Sequence, residues 1–112
     1  MYEVKADKVT VSGRVVKTWS RVVNGVNRLE IEAGTTGLRG GDRNKGSRAF
    51  LRLTDLGGTD MSVFVLNDRQ GKPTTVEISV GGDSEVLTIF GALRFAVKAL
   101  EDQLFKEGIR HD

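Results

Sequence analysis

"GGDSEVLTIFGALRFAVKALEDQLFKEG", residues 81–108, decides the fold class, because it carries the chain's clear helical period. Val86, Phe90, Leu93, Val97, Leu100 and Leu104 recur at spacings of three and four, which places them on one stripe. The spacing predicts a helix over Ser84–Glu107. Asp83 or Ser84 serves as N-cap, Glu85 sits in the first turn where the dipole favours an anion, and Lys106 and Gly108 close the last turn. Leu87, Phe95 and Phe105 fall off the stripe. A helix apolar on more than one side contacts more than one surface. A sheet covers one side, and a second subunit is the simplest cover for the other.

Everything before this stretch reads as strand and turn. Asn24-Gly25 is a strong hairpin signal, since both residues tolerate the positive φ of a type I′ turn. A two-residue loop there predicts Val23 facing Val26 and Trp19 opposite Glu30. Val16, Thr18, Ser20 and Val22 would then share a face with Leu29, Ile31 and Ala33. Lys17, Trp19 and Arg21, with Arg28, Glu30 and Glu32, would form a wet face. Residues 9–16 also read as extended, with Ser12-Gly13 as a bend or bulge. Residues 48–54 alternate, with Ala49, Leu51 and Leu53 on one face and Arg48, Phe50 and Arg52 on the other. "DLGGTD", residues 55–60, is a turn. Met61 to Leu66 is apolar on both faces, as a central strand is. "NDRQGKP", residues 67–73, is another turn, and Val76, Ile78 and Val80 point inward from a last strand. The expected architecture is a single α+β domain over residues 1–112: an antiparallel sheet with an N-terminal hairpin, packed on one long C-terminal helix.

Composition narrows the function classes. No apolar run approaches the roughly 18 residues of a membrane helix, so no membrane partner is expected. Met1–Asp7 is polar and mixed in charge, unlike a signal peptide. The absence of cysteine excludes disulfides, zinc–thiolate sites and a thiol nucleophile, and fits a reducing cytoplasm. A net charge of +2, from 17 cations and 15 anions, is too small for binding to duplex nucleic acid. The cations are nevertheless clustered. Arg39, Arg43, Lys45, Arg48 and Arg52 face Asp42 alone within residues 39–52.

That cluster overlaps "AGTTGLRGGDRNKGSR", residues 33–48, which holds five glycines and four cations. The Gly41–Ser47 segment has the glycine spacing of a Walker loop. However, Lys45 lies on the wrong side of Gly46, and the segment leads into a strand rather than a helix. Successive glycines let backbone N–H groups converge on an oxyanion. Thr35, Thr36 and Ser47 add hydroxyls, and Arg39, Arg43 and Arg48 supply guanidinium forks matched to phosphate oxygens. Phe50 stands between Arg48 and Arg52, where a base could stack. Gly81-Gly82 precedes a helix N-terminus, a second place for an anion. The alternative is two solvated turns beside ordinary surface arginines, and pattern alone leaves the two even.

Catalysis finds little support. His111, the chain's one histidine, is next to last, and Asp55 and Asp60 sit in turn sequences that favour Asp for local hydrogen bonding. No segment shows metal-ligand spacing. The expectation is a binding protein with no enzyme activity, no cofactor and no metal.

"AGTTGLRGGDRNKGSR", the strand after it with "DLGGTDM", and "GGDSEVLTIFGALRFAVKALEDQ" together resemble the phage anti-Thoeris sponge proteins of the first type, over roughly residues 29–104. The resemblance implies a non-enzymatic viral protein acting in the cytoplasm of the infected bacterial host. There it would sequester the cyclic ADP-ribose isomers made by bacterial TIR enzymes. It implies dimers built through the C-terminal helical region, some assembled into hexamers, with the ligand at the dimer interface. For some members it implies separate pockets for cyclic di- or trinucleotides. The motif positions it carries over are Thr35, Thr36, Gly37, Arg39, Gly41, Asp42, Ser47 and Arg48, with Gly82 and Asp83. This chain departs from the pattern at Asn44-Lys45, where small residues or histidine are expected. An adenine also needs an aromatic or guanidinium platform, for which Phe50, Phe90 and Arg94 are candidates, although the place of Phe90 on the stripe favours a core role. The runner-up is a protein-interaction inhibitor, such as an anti-CRISPR protein acting through a charged loop.

Overall fold

The computed structural model describes residues 4–23, 27–40 and 46–105. Its elements are β1 (Lys5–Val11), β2 (Arg14–Val23), β3 (Arg28–Thr35), β4 (Ala49–Gly57), β5 (Met61–Asn67), β6 (Pro73–Val80) and α1 (Asp83–Phe105). β1 to β4 form an antiparallel sheet in chain order, and β5 and β6 form a separate two-stranded sheet. The α+β class and the single C-terminal helix on an antiparallel sheet are as the sequence predicts. The division into two sheets is not.

Of the two alternatives at Ser12-Gly13 the structure shows the bend, as a tight hairpin turn, and not the bulge. Both residues have positive φ, 47° and 81°, as a type I′ turn requires, and Val11 pairs with Arg14 across it. The β2–β3 register differs from the two-residue reading of Asn24-Gly25. Val23 pairs with Leu29 and Trp19 with Ala33, so residues 24–27 form the connection, of which 24–26 lie outside the described residues. Trp19 moves from opposite Glu30 to opposite Ala33, an odd shift of three positions, which exchanges the faces. Trp19 and Val23 therefore join Leu29, Ile31 and Ala33 on the side of α1, and the expected wet face carries part of the core.

The face turned away from α1 holds Thr18, Ser20 and Glu32, all buried. Thr18 Oγ1 donates to Glu32 Oε2 at 2.6 Å and Arg52 Nη1 reaches Glu32 Oε1 at 3.4 Å, so the buried carboxylate is hydrogen-bonded and paired. The alternation of β4 holds: Leu51 and Leu53 pair with Ala33 and Ile31, and Phe50 and Arg52 share the opposite face. β4 runs on through Gly57, so the following turn is shorter than residues 55–60.

The core lies between α1 and β3. Leu29, Ile31 and Ala33 have no exposure and meet Ala92, Ala96 and Ala99. Burying Leu29 and Ile31 stabilises the fold by about 1.5–3 kcal/mol each. The helix presents its small residues, Thr88, Ala92, Ala96 and Ala99, to the sheet. The large stripe predicted to be core turns outward over its first four positions: Val86, Phe90, Leu93 and Val97 are exposed, with Phe90 at 56%. Small side chains let the helix axis approach the sheet closely. The bulky residues then have no room on that face. Among the off-stripe residues, Leu87 is exposed, whereas Phe95 packs against the core.

The helix begins one residue earlier than the cap reading implies. Val86 N–H donates to Gly82 O at 3.0 Å, so Gly82 takes the N-cap position in place of Asp83 or Ser84. Ser84 Oγ instead donates to Asn27 Oδ1 at 2.6 Å, tying the helix start to the β2–β3 connection. Lys106 and Gly108, the expected closing residues, lie outside the described residues.

β5 and β6 correct the remaining expectation. Met61 to Leu66 is not a central strand, and Val76 and Ile78 do not point into a core. Val63, Phe64, Val65, Leu66, Val76 and Ile78 are all exposed. The root of this arm is fixed: Gly81 N–H donates to Asp60 O at 3.0 Å, and Met61 packs against the core.

Candidate functional site

The glycine-rich stretch enters the sheet as the end of β3 and leaves it as the start of β4. Gly34 is the first constraint. A Cβ there would collide with Lys17 O and the Thr18 Cα of β2, so only glycine permits this strand spacing. Thr35 Oγ1 donates to Arg48 O at 2.8 Å and accepts from Gly37 N–H at 3.1 Å. Thr36 Oγ1 donates to Gly37 O at 2.9 Å and accepts from Arg48 N–H at 3.0 Å, while Thr36 N–H donates to Arg48 O at 3.0 Å. Ser47 Oγ accepts from Arg39 N–H at 2.7 Å. The three hydroxyls predicted to face a ligand thus hold the two limbs of the loop together.

Arg48 also serves the frame. Its Nε donates to Val11 O at 3.2 Å and its Nη2 to Ser12 O at 3.4 Å, with Nη1 on Gly46 O and Ser47 O at 3.2 and 3.1 Å. It staples the β1–β2 turn to the loop. Gln103, from the far end of α1, completes the support. Its Oε1 accepts from Thr35 N–H at 3.1 Å and its Nε2 donates to Lys17 O at 2.8 Å.

These contacts enclose a cleft of about 650 Å³, lined by Gly13, Arg14, Val15 and Lys17 on one side and by Thr35, Thr36, Gly37, Leu38 and Arg39 on the other, with Gln103 at its end. Three cations converge there: Arg14, Lys17 and Arg39. Among the described residues no carboxylate lines the cleft or pairs with these cations. A low-dielectric wall lined by one sign of charge concentrates counter-ions. The size lies within the 300–1,000 Å³ typical of small-ligand pockets.

Of the expected site residues, Thr35, Thr36, Gly37 and Arg39 line this cleft, and Ser47 and Arg48 brace it. Gly41 and Asp42, with Arg43, lie outside the described residues. Phe50 stands on the sheet face turned away from α1, with the Arg52 guanidinium 4.9 Å from its ring centre. Phe90 and Arg94 lie on the outward face of α1, with the guanidinium 5.6 Å from the ring centre. Gly82 and Asp83 are at the opposite end of α1 from Gln103, about 30 Å away at 1.5 Å per residue.

The Gly81-Gly82 end is already supplied with negative charge. A Cβ on Gly82 would collide with Glu85 Oε1, and one on Gly81 would lie 2.9 Å from Asp60 Oδ2. The helix N-terminus faces its own carboxylates, which argues against the second anion site read from the sequence. Sequence reasoning missed Arg14, Lys17 and Gln103. Lys17 reads as part of the wet face of the hairpin, and no motif in the sequence marks Arg14 or Gln103. Their convergence depends on pairing between distant elements.

Among the described residues no group of His, Asp or Glu is placed to hold a metal ion, and no helix is long and apolar enough to cross a membrane. No family model, curated protein or solved structure matches the chain.

Proposed function

We propose that the protein binds and sequesters a cyclic ADP-ribose isomer without altering it, acting in the cytoplasm of an infected bacterium to silence an anti-phage signal. The observation that carries this reading is the cleft itself: three cations, with no carboxylate among the described residues lining the cleft or pairing with them, and room for a nucleotide. The diphosphate would sit between Arg14, Lys17 and Arg39, where charge-assisted hydrogen bonds are strongest. Cyclic di- and trinucleotides share this phosphate chemistry and are a second ligand class to test.

The active form in this proposal is a homodimer or a hexamer built from dimers. Val86, Phe90, Leu93, Val97, Leu100 and Leu104 alternate at four and three residues, the spacing of a coiled-coil seam, and the first four are exposed. The β5–β6 arm adds Val63, Phe64, Val65, Leu66, Val76 and Ile78 to the exposed apolar residues, and a stable interface takes ~800 Å² from each partner. An antiparallel pairing of two α1 helices would bring Phe90 and Arg94 of one copy toward the cleft of the other. The candidate residues that lie apart within one chain would then share a site.

The test is heat release. The protein is incubated with a cyclic ADP-ribose isomer, denatured, and the supernatant chromatographed. Recovery of the same compound supports sequestration, and recovery of linear ADP-ribose would show hydrolysis instead. The exposed apolar arm favours one other reading, a protein-interaction inhibitor such as an anti-CRISPR protein. That reading predicts no captured nucleotide.

A further inference from the structure

Among the described residues no aromatic side chain lines the cationic cleft, yet an aromatic hollow adjoins it. This second hollow, about 370 Å³, is walled by Trp19 and Phe95 and rimmed by Arg21, Lys98 and Asp102. Lys17 and Trp19 lie two residues apart on the same side of β2, about 7 Å along the strand. Ala99, on the floor of the hollow, is one helical turn from Gln103, about 6 Å along α1. The two hollows therefore lie side by side along the β2 side of α1, the cationic one beside Lys17 and Gln103 and the aromatic one beside Trp19 and Ala99.

Trp19 and Phe95 pack partly against the core and are half-buried, so each keeps a surface toward the hollow. Lys98 Nζ and Asp102 Oδ1 lie 3.3 Å apart across one helical turn on the rim. Asp102 is the one carboxylate on that rim among the described residues and can accept from an exocyclic amine. An indole face, a phenyl ring and a carboxylate acceptor make an environment suited to an aminopurine, since stacking is tolerant of the base and the acceptor selects for the amine. We infer that the Trp19–Phe95 hollow is the base subsite for the nucleotide whose phosphates occupy the cationic cleft, an assignment that rests on the phosphate role proposed for that cleft. It places the adenine on Trp19, not on Phe50 or Phe90.

Trp19 is the chain's one tryptophan, so its emission reports this hollow alone. Cyclic ADP-ribose, ADP and inorganic pyrophosphate are titrated into the intact protein, with fluorescence and calorimetry read together. The expected result is saturable quenching by cyclic ADP-ribose and ADP at the calorimetric midpoint, and pyrophosphate binding with no quenching. Trp19→Phe keeps a ring and most of the affinity for ADP, whereas Trp19→Leu lowers it about 5- to 150-fold and leaves pyrophosphate binding unchanged. If Trp19→Leu does not fold, the emission of the unsubstituted protein decides. Binding of all three probes without quenching overturns the base subsite and leaves the cationic cleft standing. Failure of every probe to bind overturns both.

Discussion

Leu29 and Ile31 in β3 have no solvent exposure, whereas Val76 in β6 is 65% exposed and Phe64 in β5 is 58% exposed. The side chains are equally apolar, and both sheets are antiparallel. The difference lies in what covers them. In the four-stranded sheet, apolar residues face α1, and the polar residues of the other face satisfy one another through the Thr18–Glu32–Arg52 contacts. In the arm, Val63, Phe64, Val65 and Leu66 put apolar groups on both faces, and among the described residues nothing beyond its root receives them. An isolated two-stranded hairpin is marginal at best in water. In the proposed dimer the arm's apolar faces would be covered by a second copy, whereas the β1–β4 sheet is covered within the single chain.

The largest effect that could break this comparison is on assembly. Val97→Asp, on the outward stripe, should reduce the light-scattering mass to that of one chain at low micromolar concentration, because an unpaired charge buried at an interface costs several kcal/mol. A wild-type protein already monomeric under those conditions would remove the basis for treating the arm and stripe as an interface.

A smaller effect separates the sheets by stability. Leu29→Ala should lower the unfolding free energy by about 2–5 kcal/mol. Val76→Ala, made in the Val97→Asp background so that assembly does not intervene, should change it by no more than about 0.5 kcal/mol. Equal losses at the two positions would show that the arm is covered within its own chain.

The smallest effect sharpens the division within the glycine loop. Arg48 donates to four backbone carbonyls, and its replacement by Ala should cost about 1–3 kcal/mol of stability in chemical denaturation. Arg39→Ala removes an exposed side chain and should leave stability within about 0.5 kcal/mol.

The helix, the alternation of β4 and the α+β class are legible in the sequence because each depends on a local period. What was not legible depends on a choice between faces. The 3.6-residue period marks Val86, Phe90, Leu93 and Val97 as a stripe but does not say that Ala92, Ala96 and Ala99 would take the sheet. The β2–β3 register turned on the length of one connection, and a shift of three positions moved Trp19 from the wet face to the core side. Thr35, Thr36, Gly37 and Arg39 were found because glycine and threonine are conspicuous in a loop. Arg14, Lys17 and Gln103 were not, since they reach the cleft through strand pairing and the far end of α1.

The central claim is that Arg14, Lys17 and Arg39 make the cleft a phosphate-binding site, and calorimetry with cyclic ADP-ribose tests it most directly. The unsubstituted protein should bind saturably. Arg39→Ala should weaken binding about 10- to 150-fold, the equivalent of one charge-assisted hydrogen bond of about 1.5–3 kcal/mol, with unfolding unchanged. Undiminished binding by the triple variant Arg14→Ala, Lys17→Ala, Arg39→Ala, or no heat with the unsubstituted protein, would contradict it.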